Sequence, residues 1–214
     1  MRPFFPYLLG LVVALLLTTG AAAQDAKPVN LSDADRAAIG KIEQYLNSIR
    51  SLEARFLQVS SNGSYAEGKV YLSRPGKLKL AYDPPSPIEI IGAKGNLIYH
   101  DKSLEQVSWL DLDSTPAGLL VRDEISVFSD DLIVTGFEHE AQAYRLSLAR
   151  AKDPLEGTMT LVLSDRPLQL RKWEILDAQG VMTTVSLMSS RFGVEIDPEV
   201  FVFRNPYAHR GPDR

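Results

Sequence analysis

Short runs of alternating apolar and polar residues follow one another along most of the chain, and this pattern constrains the fold more than any other feature. Val70 and Leu72 alternate with Lys69 and Ser73, for example, and Ser61-Asn62-Gly63 forms a turn between two such runs. A period of two places successive side chains on opposite faces, which is typical of strands with one buried face. Closely spaced strands joined by turns predict an antiparallel sheet of about ten or eleven strands. The candidate strands include residues 52–56, 70–72, 78–82, 88–91, 97–99, 107–112, 132–134, 144–148, 158–163, 168–175, 181–187 and 200–203.

Only two segments break this alternation in favour of a helix. Before the first strand, four apolar residues recur at steps of three, four and three, which predicts an amphipathic helix over about residues 32–50. Ser32 and Asp35 form a potential capping box at its start. A shorter helix is predicted where Thr115 can cap and Pro116 takes the first helical position. The stripe of the long helix consists of Ile39, Ile42, Leu46 and Ile49, and its opposite face carries Lys41, Glu43, Asn47 and Ser48.

These elements together predict an α+β fold with one large sheet. A sheet of so many strands must curl or split to bury its apolar face. A curved, unclosed sheet (a half-barrel) with helices over its mouth encloses an apolar space, and such mouths commonly hold ligands. The alternative is a filled sandwich without a cavity, and the pattern alone does not distinguish the two.

The N-terminal segment has the organisation of a secretory signal peptide. Arg2 is followed by an apolar run over residues 7–17 and by Ala21-Ala22-Ala23 before Gln24. The run is shorter than the roughly 20 residues that a spanning helix needs, which argues against a membrane anchor. We therefore expect residues 1–23 to be a signal peptide and residues 24–214 to form a single exported domain.

Composition and motifs argue against an enzyme and against a nucleic-acid-binding protein. The chain contains no cysteine, its isoelectric point is about 5.4, and it contains no phosphate loop, dinucleotide fingerprint or nucleophile elbow. Its histidines are His100, His139 and His209. His139 lies between two glutamates in a segment that we interpret as an exposed turn, because neighbours along a strand point to opposite faces and cannot easily chelate together. We expect no catalytic residue, no metal site and no cofactor.

The segment from Gly68 to Leu120 resembles the outer-membrane lipoprotein carrier protein family (LolA-like). It contains a strand that runs into Arg74-Pro75, a strand of apolar residues ending at Tyr82, and a Gly-containing turn before Leu97-Ile98-Tyr99. The helix at Thr115-Pro116, the amphipathic first helix, the strand at Phe56-Leu57-Gln58 and the ending Ile196-Asp197-Pro198-Glu199-Val200-Phe201 also match. Leucines stand at positions 78 and 80, where that family commonly has aromatic residues.

The resemblance implies an unclosed antiparallel barrel with a helical lid over an apolar cavity. It also implies a monomeric periplasmic carrier that accepts acylated lipoproteins from an inner-membrane ABC-type transporter and delivers them to an outer-membrane acceptor. By its place in the Arg-Pro motif, Arg74 is implied to hold the lid closed. Period two then places Val70, Leu72, Leu78, Leu80 and Tyr82 on the face of Arg74, and we expect these residues and Ile39, Ile42, Leu46 and Ile49 to bind lipid.

Two other functions would fit the same fold. One is a periplasmic carrier of free lipid or glycolipid. The other is a regulatory module that senses mislocalised lipoproteins, and we would expect such a protein to carry an additional domain.

Overall fold

Eleven antiparallel strands form one sheet in residues 27–208, the part of the chain that the computed structural model describes. The expected signal peptide and His209 lie outside these residues. The strands are β1 (Ser51–Ser60), β2 (Tyr65–Ser73), β3 (Lys77–Tyr82), β4 (Ile88–Ala93), β5 (Asn96–Asp101), β6 (Gln106–Asp111), β7 (Leu132–Glu140), β8 (Ala143–Arg150), β9 (Gly157–Ser164), β10 (Gln169–Asp177) and β11 (Met182–Phe192).

The sheet is open and strongly curved. Its order is β6-β5-β4-β3-β2-β1-β11-β10-β9-β8-β7, so two meanders meet where β1 pairs with β11, and β6 and β7 are the two edges. Leu110 of β6 and Leu148 of β8 nevertheless line the same cleft. In a flat sheet the nine intervening strand spacings would separate them by about 43 Å. The predicted fold class, a curved and unclosed antiparallel sheet with few helices, is confirmed.

Both predicted helices are present. Helix α1 (Asp33–Ser48) begins at Ser32, whose Oγ accepts a hydrogen bond from Asp35 N at 3.2 Å while Ser32 N donates to Asp35 Oδ2 at 2.9 Å. This reciprocal pair is the predicted capping box, and it satisfies two main-chain donors at the helix start. Helix α2 (Pro116–Val121) is capped by Thr115, whose hydroxyl accepts from Gly118 N. No helix within residues 27–208 is long and apolar enough to cross a bilayer.

Two local predictions were wrong. Residues 200–203 were predicted as a strand, but Pro198–Phe201 form a 3-10 turn that Asp197 caps by accepting from Glu199 N, with Pro198 in the first position. Phe201 is buried there, and the turn packs against β3 and β4. The segment around His139 was interpreted as a turn, but it is the end of β7, where His139 pairs with Tyr144 of β8 and the two rings stack at 4.1 Å. The first error arose because contacts with distant strands decided the local conformation, and the second because pairing within the β7–β8 hairpin did so.

Gly68 of β2 lies where two aromatic rings meet. It is paired with Phe56 on one side and with Tyr82 on the other, and these rings contact edge to face with centroids 5.1 Å apart. A Cβ at position 68 would lie 2.3 Å from the Ala81 carbonyl oxygen and 2.8 Å from Cε1 of Phe56. The absence of a side chain at Gly68 therefore lets the aromatic pair form on the inner face.

We predict that Gly68→Ala lowers the free energy of unfolding by about 1–3 kcal/mol, because the added methyl group forces the strand pair apart. The matched control is Gly40→Ala in α1, where a Cβ would meet nothing within 4 Å. Alanine there should raise the stability by about 0.5–1 kcal/mol through helix propensity. Urea denaturation of both variants measures the difference, and equal effects would show that β2 does not approach its neighbours this closely.

Candidate functional site

The inner face of β2 and β3 is continuously apolar. Val70 is paired with Leu80 and Leu72 with Leu78, and directly opposed residues in an antiparallel pair share one face. All four side chains are buried, with exposures between 0% and 6%. Tyr82 extends the same face and is half-buried. The two strands thus bring together the five residues that alternation had assigned to one face.

Helix α1 packs its apolar stripe on this face. Ile39, Ile42 and Leu46 are 0–1% exposed, and Ile49 directly after the helix is 5% exposed. They belong to the same buried cluster as the residues of β2 and β3. In this conformation eight of the nine apolar or aromatic residues expected to bind lipid are buried in one core, and the half-buried Tyr82 packs against it.

Arg74 lies at the edge of this core and joins both helices to the sheet. Its Nε donates to the Leu120 carbonyl in α2 at 2.9 Å, and its Nη1 donates to the Leu46 carbonyl in α1 at 2.7 Å. Both acceptors lie in the last turn of their helix, where the helix dipole is negative, and the Leu46 carbonyl also accepts from Ile49 N at 3.2 Å. One guanidinium thus satisfies the ends of two helices at once.

The cation of Arg74 is held in an unfavourable environment. Its side chain is almost entirely buried, and burial lowers its pKa to about 10, with repulsion from Arg50 adding to the shift. The nearby Asp123 opposes the shift, but the hydrogen bonds of Arg74 go to neutral main-chain carbonyls. Arg74 remains charged at neutral pH, and its desolvation offsets part of what its hydrogen bonds contribute.

The turn between β2 and β3 strengthens this attachment. Gly76 N donates to the Val121 carbonyl at 2.8 Å, and Arg74 N donates to the Arg50 carbonyl at 2.9 Å. The end of α2 is therefore bound by both the side chain of Arg74 and the main chain two residues later. Gly76 has a φ of +73°, a conformation that glycine adopts without strain.

The face of α1 that the sequence left to solvent binds the segment after α2. Asn47 Nδ2 donates to the Ile125 carbonyl and Asn47 Oδ1 accepts from Ile125 N, both at 2.8 Å. Glu43 Oε2 accepts from Val127 N at 2.6 Å. Ile125 and Val127 are fully buried. Two apolar residues at alternate positions of an otherwise polar loop were the feature of the sequence that could have predicted this contact. We call residues 33–48 and 116–131 together the lid, because these hydrogen bonds join α1, α2 and the segment after α2.

Tyr82 carries the polar group nearest to the apolar face. Its hydroxyl donates to Gln58 Oε1 at 2.7 Å, and its ring packs on Phe56. Burial, with a smaller contribution from the neighbouring Tyr99, raises the pKa of Tyr82 to about 12, although the bond to Gln58 opposes the shift. The phenol therefore stays neutral and satisfied at the border of the core.

A cleft of about 340 Å³ opens where the two ends of the sheet face each other across α2. Its floor is formed by Leu119 of α2, Leu148 of β8 and Met159 of β9, which belong to the same buried cluster as the inner face. Its rim carries charged residues from the segments next to β6, β8 and β10. The cleft therefore reaches the apolar core from outside.

Neither His100 nor His139, the two histidines within residues 27–208, contributes to this site. His100 lies on the outer face of the sheet, where its Nε2 is 3.2 Å from the Tyr207 hydroxyl and its ring contacts Phe203. Within residues 27–208, no three histidine, aspartate or glutamate side chains are arranged to hold a metal ion. The arrangement suits the enclosure of an apolar ligand.

Tyr82 gives the site a pH dependence that can be measured. The unfolded phenol loses its proton near pH 10, whereas the folded one loses it near pH 12. The stabilisation from the neutral phenol is therefore complete below pH 10 and is lost as the pH rises through 12. We predict that between pH 10 and 12 the wild type loses about 2 kcal/mol more stability than Tyr82→Phe.

The control for this measurement is Tyr65→Phe, since Tyr65 is 77% exposed on the outer face. Its loss of stability with pH should follow that of the wild type. Denaturation curves at several pH values give the comparison. Parallel pH dependences for wild type and Tyr82→Phe would contradict the buried position of the phenol.

Comparison with known proteins agrees with this architecture. A family model described as Outer membrane lipoprotein carrier protein LolA matches residues 47–204, which include β1–β11 and α2. The outer-membrane lipoprotein carrier protein of Methylococcus capsulatus is 29% identical over 213 residues, which cover 95% of each chain. That of Pseudomonas aeruginosa is 28% identical over 201 residues, which cover 89% of this chain and 95% of the relative.

Among solved structures, a LolA superfamily protein from Nitrosomonas europaea superposes with a TM-score of 0.46 at 12% identity, over 77% of this chain and 97% of the other. The family consists of periplasmic carrier proteins and not of enzymes. The family model covers more than half of the sequence, and two carrier proteins match nearly its whole length. The chain therefore belongs to the LolA family of outer-membrane lipoprotein carrier proteins.

Proposed function

We propose that this protein binds the acyl chains of lipoproteins released from the inner membrane and carries them through the periplasm to the outer membrane. The observation that supports this most directly is the position of Arg74. One buried cation bonds the ends of both lid helices above a wholly apolar sheet face. The lid is also held by Gly76 N on the Val121 carbonyl, by Leu170 N on the Tyr45 hydroxyl and by the exposed pair of Arg50 with Asp123. Such a small set of polar contacts can break and form again, so the lid can separate from that face and return.

The energetics of acyl chains explain why such a carrier is needed. Each methylene that leaves water contributes about 0.8 kcal/mol, so a lipoprotein does not leave a membrane unaided at a useful rate. The carrier must offer a comparably apolar surface. Here that surface is the inner face of β2 and β3 together with the stripe of α1, once the lid has moved away from the sheet.

Opening the lid exchanges protein contacts for acyl contacts. A hydrogen bond to a charged group contributes about 1.5–3 kcal/mol, so the two side-chain bonds of Arg74 contribute about 3–6 kcal/mol to the closed lid before the cost of burying its cation is subtracted. Four to eight buried methylenes, at about 0.8 kcal/mol each, offset that contribution. Long acyl chains can therefore open the lid, and reformation of the Arg74 bonds favours their release to an acceptor.

The carrier function is tested by adding the purified protein to spheroplasts that synthesise a labelled outer-membrane lipoprotein. We expect the lipoprotein to appear in the soluble fraction in a one-to-one complex with the protein. Release of no lipoprotein, together with lipid that can be extracted from the purified protein, would contradict the proposal and favour a carrier of free lipid. Addition of outer membranes to the isolated complex then measures delivery.

We predict that Arg74→Leu leaves the fold intact and loads lipoprotein, but transfers it to outer membranes at least about tenfold more slowly, because closing the lid no longer favours unloading. The control is Arg55→Leu, which removes an exposed arginine that pairs with Glu67 and Asp83 away from the lid. That variant should transfer at the wild-type rate. Equal transfer by Arg74→Leu and wild type would show that Arg74 has a structural role only.

A further inference from the structure

The cleft between the two ends of the sheet has a polar rim above an apolar floor, and the apolar core alone does not explain this combination. Its floor is apolar and continuous with the core through Leu119, Leu148 and Met159. Its rim is polar and faces solvent. A volume of about 340 Å³ is at the lower end of the range for small-molecule sites. These dimensions fit the head of an amphiphile whose chains extend beneath the lid.

The rim of the cleft and its ion-pair partners carry more negative than positive charges. Arg122 and Arg150 line the cleft, but Arg122 is paired with Asp131 at 2.5 Å, and Arg150 is paired with both Asp153 and Glu156. The positive charge of each arginine is therefore already balanced by at least one carboxylate.

Two further carboxylates complete the rim. Asp113 precedes α2 and is exposed, and Asp177 ends β10 and accepts hydrogen bonds from the main chain of its own turn at Gln179 and Val181. The rim and its ion-pair partners thus hold two cations against five carboxylates. The field at the opening is negative and repels an anionic head group.

We infer that this cleft receives the head region of the cargo, the uncharged diacylglyceryl thioether with the first residues of an acylated lipoprotein, and that its negative rim discriminates against anionic phospholipids. The inference rests on the proposed function, since it assumes that the acyl chains lie in the core. Membranes contain far more phospholipid than lipoprotein, and acyl chains alone do not distinguish the two. Phospholipids and lipoproteins differ in their head groups, and the charged rim of the cleft is the part of the protein that a bound head group would contact.

The experiment compares two amphiphiles with identical acyl chains, dioleoylglycerol and dioleoylphosphatidic acid, each radiolabelled in phosphatidylcholine vesicles. The full-length protein is incubated with the vesicles and separated by flotation, and the ratio of the two bound amphiphiles is measured. The variants are Asp113→Lys and, as a matched control, Glu140→Lys. Glu140 is exposed at the far end of β7, about 26 Å along the strand from Leu132 at the cleft. Both substitutions change the net charge equally.

We expect the wild type to retain diacylglycerol in preference to phosphatidic acid, and Asp113→Lys to reduce that preference about fivefold, with a smaller effect at high salt. Asp113→Asn should shift the ratio in the same direction by less, and Glu140→Lys should leave it unchanged. A wild-type ratio in Asp113→Lys, or an equal shift in Glu140→Lys, would overturn the inference while leaving acyl binding in place. Failure of the wild type to extract either amphiphile would also overturn the inference, whereas release of lipoprotein from spheroplasts tests the proposed function separately.

Discussion

The two hydrogen bonds from Arg74 to the ends of α1 and α2 fix the position of the lid on the sheet. Beneath the lid, most contacts between helix and sheet are apolar and have little directional preference, so they would permit many positions of the helices. Arg74 selects one position, together with the bonds from Gly76 N to the Val121 carbonyl and from Leu170 N to the Tyr45 hydroxyl. Its bonds reach the Leu120 carbonyl, and the Leu46 carbonyl that Ile49 N also binds, at the expense of burying a cation without a carboxylate partner in direct contact.

The organisation of the lid follows from that attachment. Asn47 and Glu43 bind the main chain around Ile125 and Val127, so the segment after α2 is bound to α1. A displacement of α1 therefore also affects the segment that follows α2. Movement of α1 and α2 away from the sheet would expose the inner face of β2 and β3 and widen the cleft beside α2. Loading of cargo onto the inner face and access through the cleft would then both result from this one motion of the lid.

Local signals predicted the local parts of this arrangement well. The capping box at Ser32, the Thr115-Pro116 helix start and the alternation of β2 and β3 all depend on residues within a few positions of one another. The 3-10 turn at Pro198–Phe201 was missed because Phe201 is buried against strands far away in sequence. The contacts of Asn47 with Ile125 and the cleft between the ends of the sheet were missed for the same reason, since they exist only once the sheet has curved. The acyl-binding role assigned to the ten predicted residues remains a prediction, although the structure brings those residues together.

A distance measurement tests most directly whether the buried core is an acyl site that the lid uncovers. The sequence contains no cysteine, so two introduced cysteines can be labelled without background. Nitroxides at Ser126 in the lid and at Lys69 on the outer face of β2, both exposed, report on the separation of lid and sheet by pulsed electron paramagnetic resonance. The account predicts that the distance increases when a diacylated lipopeptide binds, and that Arg74→Leu broadens the distribution without ligand. An unchanged distance in a protein that demonstrably binds the lipopeptide would contradict it.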